Sequence, residues 1–79
     1  MFDKIREHLD NYSLIANEKL YKERNYEEAI EYAVRAIQCA ELINDEERII
    51  ENNLILGHIY LNSRKDLNYA AEIYYKTLD

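Results

Sequence analysis

The side chains of this sequence that could do chemistry are two histidines, one cysteine and 16 carboxylates, and their spacing brings no set of them together for catalysis. His8 and His58 lie far apart, and neither has a metal-ligand partner four residues on. Arg6-Glu7-His8 therefore lacks the paired histidines of a zinc helix. Cys39 sits on an alanine-rich stretch with no histidine or lysine close by to lower its pKa, and it reads as a small buried hydrophobe. The carboxylates fall on solvated stripes rather than in an apolar setting that would shift their pKa. A single glycine leaves no phosphate-cradling loop, and no Ser/His/Asp arrangement occurs. The expectation is a protein that is not an enzyme and carries neither cofactor nor metal.

Composition narrows the class. Seventy-nine residues with 48% apolar content make one small domain with a core of limited size. The absence of proline and the lone glycine favour helices joined by short connections over a turn-rich β architecture. A formal charge of −6 leaves no basic face for nucleic acid and favours basic or neutral partners. One cysteine cannot form an internal disulfide, which suggests a cytoplasmic protein. The first residues, Met1-Phe2-Asp3-Lys4-Ile5-Arg6-Glu7, lack the apolar run of a signal peptide. No apolar stretch approaches the ~18 residues of a membrane span, so no membrane partner is expected.

Apolar residues recur at helical spacing throughout. Phe2, Ile5, Leu9, Tyr12, Ile15 (or Ala16) and Leu20 step by three or four, predicting a helix from about Asp3 to Glu23. Asn25 with Glu28 three residues on reads as a capping box for a second helix from Tyr26 to about Ile43. Its polar residues Glu28, Glu31, Arg35 and Gln38 form one narrow stripe, so the helix should pack on two sides. Asn44 with Glu47 repeats the capping pattern before a third helix that runs to about Asn62. After a polar turn, Tyr69, Ala70, Ile73, Tyr74 and Leu78 predict a fourth. Glu18 and Lys22, Glu31 and Arg35, and Glu72 and Lys76 are spaced for i,i+4 ion pairs.

Leu56-Gly57-His58-Ile59-Tyr60, followed by Ala70 and Tyr74, resembles the tetratricopeptide repeat. An offset of about 40 aligns Ser13-x-x-Ala16-Asn17-x-x-Leu20 with Asn53-x-x-Leu56-Gly57-x-x-Tyr60. The second-helix segments Tyr26-Glu27-Glu28-Ala29-Ile30-Glu31-Tyr32 and Tyr69-Ala70-Ala71-Glu72-Ile73-Tyr74-Tyr75 fall into the same register. The leading tryptophan position holds Ser13 and Asn53, and the closing proline is absent. The resemblance implies an all-α fold, a single domain over residues 1–79: four antiparallel helices forming two hairpins in a right-handed superhelix. Repeat one would cover about 11–43 after an extension over 1–10, and repeat two about 45–79. Small residues, Ala16 against Ala29 and Ala36, and Gly57 against Ala70, would let the paired helices come close.

The resemblance further implies a non-catalytic interaction module, with a peptide or partner-protein segment held in a groove formed by helices one and three. Carried over position by position, the groove residues are Asn11, Leu14, Glu18 and Tyr21 on the first helix. On the third they are Glu51, Leu54, His58 and Leu61. Apolar residues among acids suit an amphipathic or basic partner. Two repeats are fewer than the three or so of a stable array, so self-association as a homodimer is also expected. The alternative reading is a small self-associating regulator or inhibitor acting through a tyrosine-rich outer face of Tyr32, Tyr69 and Tyr75.

Overall fold

A computed structural model of the chain describes residues 2–63 together with Glu72, Ile73 and Lys76. The described residues build three α-helices: α1 (Asp3–Tyr21), α2 (Tyr26–Leu42) and α3 (Glu46–Ser63). The first three helices expected from the apolar spacing are present, with ends within two residues of those expected.

Two matching stripes explain why these segments pack as they do. Leu9, Ser13, Ala16 and Leu20 are the buried residues of α1, and Ala29, Ala33, Ala36 and Ala40 those of α2. Both stripes step by four, three and four, which keeps each on one helix face. The four alanines are fully buried and let α1 and α3 both approach α2 closely. Helix α2 thus packs on two sides, as its narrow polar stripe requires.

One core cluster joins Ala16 and Leu20 of α1, Ala29 and Ala33 of α2, and Ile55, Leu56 and Ile59 of α3, with Ile73 added from further along the chain. A second, around Leu9, Ala36 and Ala40, takes in Tyr12, Cys39, Ile43 and Ile49 at its edge. Each fully buried Leu or Ile contributes about 1.5–3 kcal/mol. Ala16 therefore shares its cluster with Ala29, whereas Ala36 belongs to the other cluster with Leu9.

The expected architecture of four antiparallel helices in two hairpins, wound as a superhelix, is corrected to a bundle of three helices among the described residues. The physical reason lies in where α3 packs. It closes on α2 and, through polar groups, on α1, which completes a three-helix packing among the described residues. The expectation of a fourth helix rests on local spacing over 66–78, which reports a preference of that stretch alone. It falls outside the described residues except for Glu72, Ile73 and Lys76, as does the expected Gly57–Ala70 contact. Gly57 itself is buried.

The turns hold one success and two corrections. Asn25 caps α2, its Oδ1 accepting from the Glu28 N–H at 3.2 Å. The return half of the capping box does not form. The Glu28 carboxylate reaches Lys19 Nζ at 2.8 Å, and the Asn25 N–H donates to the Lys19 carbonyl at 2.8 Å. At α3 the cap is Asp45, which accepts from the Arg48 N–H at 3.2 Å, in place of the expected Asn44. Asn44 instead takes a left-handed conformation, φ 54°, and ends α2. Its N–H donates to the Glu41 carbonyl at 3.1 Å and that of Asp45 to the Ala40 carbonyl at 2.9 Å, the paired bonds of a Schellman turn.

Candidate functional site

The site is built from the bottom of the α1–α3 contact. Arg6 stands 3.5 Å from Asp45, Asp10 takes the Arg48 guanidinium at 2.6 Å, and Ser13 Oγ donates to Asn52 Oδ1 at 2.9 Å. Partner number rises along both helices together, at separations of 38 and 39 residues for the last two pairs. Helices α1 and α3 therefore run parallel, side by side, with α2 antiparallel to both.

The inner end of this seam is buried. Asn52 is fully buried and Ser13 nearly so, at 0% and 6% exposure. Each is satisfied: Asn52 Nδ2 donates to the Arg48 carbonyl at 2.9 Å, and Arg48 Nη2 donates to Ser13 Oγ at 3.3 Å. Such completeness matters, since a buried amide without partners costs about 1–3 kcal/mol. Arg48 Nε is buried with no hydrogen-bond partner, and the Glu51 carboxylate lies 3.4 Å away as an ion pair. The hydrogen bond to Asp10 pushes the Arg48 pKa up from its already high ordinary value. Asn17 and Asn53 bond back to the carbonyls four residues earlier, at 3.0 Å each, so these mid-helix amides are satisfied within their own helices.

The eight residues expected to line a groove flank this seam. Asn11, Leu14, Glu18 and Tyr21 are exposed on α1; Glu51, His58 and Leu61 are exposed on α3, where Leu54 is half-buried. At 3.6 residues per turn, the α1 set lies about a quarter-turn from Asp10 and Ser13, and the α3 set about a third of a turn from Arg48 and Asn52, in the opposite sense. On parallel neighbours, opposite senses mean the same side. The two sets thus share one face, with Glu51 and His58 nearer the seam and Leu54 and Leu61 farther out. Asp3, Glu7 and Glu47, all exposed, fall on the same face with Glu18 and Glu51, while Lys4 and Lys22 stand at its outer edge on α1.

Ser13, Asp10, Arg48 and Asn52 were absent from the expected set. Taken one helix at a time they look like ordinary polar positions. Their signal is a complementary pair of patterns: Arg6, Asp10 and Ser13 answered by Asp45, Arg48 and Asn52 about one repeat later.

Elsewhere, Tyr12 stacks against His8 with ring centroids 6.0 Å apart, and the Arg35 guanidinium lies over Tyr12 at 5.9 Å and Tyr32 at 5.2 Å. Tyr32 packs against the core and is half-buried. Tyr69 and Tyr75 lie outside the described residues. Burial pushes the Cys39 thiol pKa up, away from the reactive thiolate. Among the described residues no group of three His, Cys, Asp or Glu could hold a metal ion, and no helix is long and apolar enough to cross a membrane.

Comparison of the chain with protein-family models, with curated proteins and with solved structures finds no match.

Proposed function

We propose that this chain is a non-catalytic interaction module that takes a basic, amphipathic segment of a partner protein across the face shared by α1 and α3. The observation that carries the reading is the parallel course of those helices, which turns Leu14 and Tyr21 of α1 and Leu54 and Leu61 of α3 toward one side, with Glu51 and His58 between the two pairs and acids around them. Leu14 and Tyr21 are 59% and 62% exposed and Leu61 46%, an unusual grouping of large apolar side chains in water. Asp3, Glu7, Glu18, Glu47 and Glu51 around them favour a cationic occupant and speed its encounter.

A two-fold dimer is the alternative occupant of this face. It would bring the same acids against themselves in a chain of charge −6, which weighs against it. The separation of 38–39 residues between the facing helices supports a kinship with tetratricopeptide proteins at the level of neighbouring first helices.

The test is fluorescence polarisation with a labelled amphipathic helix carrying lysines and arginines, against the same peptide carrying glutamates. The cationic peptide binds, more weakly as salt rises, and the acidic one does not. Leu54→Glu and Leu61→Glu each weaken binding by about tenfold or more, the equivalent of about 1.4 kcal/mol, with helix content unchanged. Retained affinity in both variants, or equal binding of the acidic peptide, removes the reading. A dimer in sedimentation that the same substitutions dissociate would assign the face to self-association.

A further inference from the structure

We infer that the face shared by α1 and α3 has a direction, and that it takes a helix running antiparallel to both, apolar in its N-terminal turns and basic in its C-terminal turns. This deepens the proposed function and rests on it. The ground is one succession of residues that occurs twice. Glu7, Leu14 and Tyr21 follow one another at steps of seven along α1, and Glu47, Leu54 and Leu61 do so along α3. Each row reads acid, leucine, large apolar residue, and all six are exposed apart from the half-buried Leu54.

The seam sets the two rows level. Asp10 meets Arg48 and Ser13 meets Asn52, so residues 38 or 39 apart share a height. Because α1 and α3 run parallel, both acids fall at the same end of the face. Glu7 stands level with Glu47 there, and Asp3 lies about one turn below them. Leu14 is level with Leu54, and Tyr21 with Leu61, at successive steps above. The remaining charges leave this contrast in place. Lys4 and Lys22 stand on the outer edge of α1, one at each end. Arg6 is taken by Asp45, and Arg48 by Asp10 and Glu51. Among the described residues of this face, Glu18 is the one acid at the level of the upper apolar side chains, with His58 across from it.

Two physical arguments then fix the occupant. Seven residues of helix rise about 10.5 Å, and a third helix laid along the face repeats its own side chains at that same step. An extended segment returns to one face about every 6.8 Å and falls out of step. The acidic end of the face is also where α1 and α3 begin, at the positive ends of their dipoles. An antiparallel helix brings its negative C-terminal end there. Lysines and arginines in its last turns stabilise that helix and meet Asp3, Glu7 and Glu47 at once. A parallel helix would need the same cations at its own N-terminus, where they oppose its dipole.

The experiment uses the full chain, isotope-labelled, at low salt with two peptides of identical composition. Each has about 18 residues, the length of helix that spans Asp3 to Tyr21. One carries leucines at helical spacing in its N-terminal half and lysines and arginines in its C-terminal half; the other has the halves exchanged. The first binds about threefold or more tighter by fluorescence polarisation. A nitroxide on its last residue broadens the amide peaks of Asp3, Glu7 and Glu47, and a nitroxide on its first residue those of Tyr21 and Leu61. Equal or tighter binding of the exchanged peptide overturns the inference and leaves the interaction module standing. Broadening at the opposite ends, or at both ends from either label, does the same. Binding of neither peptide removes the proposed function and the inference together.

Discussion

The Lys19 ammonium stands 2.8 Å from the Glu28 carboxylate, tying the last turn of α1 to the first turn of α2. Glu23 holds it from the other side at 3.1 Å. Their hydrogen bonds, that of Glu28 foremost, hold Lys19 protonated well above the usual lysine range. A lysine whose folded pKa is raised contributes stability that is complete below its unfolded pKa and lost as pH rises through the folded one. The contribution is therefore flat through neutrality and fades above about pH 10.4. Lys19→Met should lower the thermal midpoint modestly near neutral pH. That gap should narrow above about pH 11 and shrink in about 1 M salt, because the pair is open to solvent. An undiminished gap at high pH would assign the loss to the packing of the lysine stem.

Among the described residues, two other than glycine have left-handed backbones, Arg24 at φ 53° and Asn44 at φ 54°. That conformation costs an ordinary L-residue about 1–2 kcal/mol and asparagine rather less. Arg24 accepts the cost because the turn must bring the Asn25 N–H back to the Lys19 carbonyl. Arg24→Gly should therefore stabilise the chain by up to about 1 kcal/mol, less the greater freedom that glycine gives the unfolded state. For a domain of this size that raises the midpoint by up to about 4–8 °C. Asn44→Gly should gain only a few tenths of a kcal/mol. Urea unfolding of the two variants side by side checks this, and equal gains would show that residue type at these turns does not matter.

Asp45 serves both neighbours: its Oδ1 caps α3 through the Arg48 N–H and its Oδ2 faces Arg6. Asp45→Ala should cost about 1–2 kcal/mol, most of it the lost cap, with a smaller part from the ion pair. Asn25→Ala, which removes a cap alone, should cost about 1 kcal/mol. Chemical denaturation at low and high salt separates the two parts, since only Asp45→Ala should lose less when salt is added. A cost at Asp45 no greater than that at an exposed position such as Gln38 would remove it as the cap.

The same turn shows what could be read from the residues in order and what could not. Helix ends and the Asn25 cap were legible because they depend on apolar steps and a residue three positions away. Asn44-Asp45 was not, because both types cap helices. The choice turns on which of them must take the left-handed conformation that ends α2, and asparagine takes it more readily. The seam was hidden for another reason. Asp10, Ser13, Arg48 and Asn52 resemble solvated positions until α1 and α3 lie parallel, and that alignment depends on α2 between them. The expected ridge residues Leu14, Tyr21, Glu51 and Leu61 are exposed, and Leu54 half so, because face membership on one helix follows from spacing alone. The four-helix expectation is corrected in number, to three helices among the described residues, because its fourth segment rested on local periodicity alone.

Helix α2 supplies the sharpest test of how that pairing is set. Ala33 is fully buried in the cluster that holds Ala16 and Leu20 of α1 together with Ile55, Leu56 and Ile59 of α3. Helix spacing follows the size of the side chains at the contact. Ala33→Leu therefore forces its neighbours outward and should cost about 1–3 kcal/mol by overpacking. Gln38→Leu, an exposed change on the same helix, should stay within about 0.5 kcal/mol. The larger consequence falls on the seam, which depends on α2 holding α1 and α3 at the right separation. Arg48→Met should destabilise the wild type, because it leaves Asp10 unpaired and Ser13 with one partner fewer. In the Ala33→Leu background the same substitution should cost clearly less, a coupling of about 0.5 kcal/mol or more in a double-mutant cycle. Strict additivity would mean that the polar contact between α1 and α3 forms whatever the spacing around α2, and the shared face would then owe nothing to the alanine stripe.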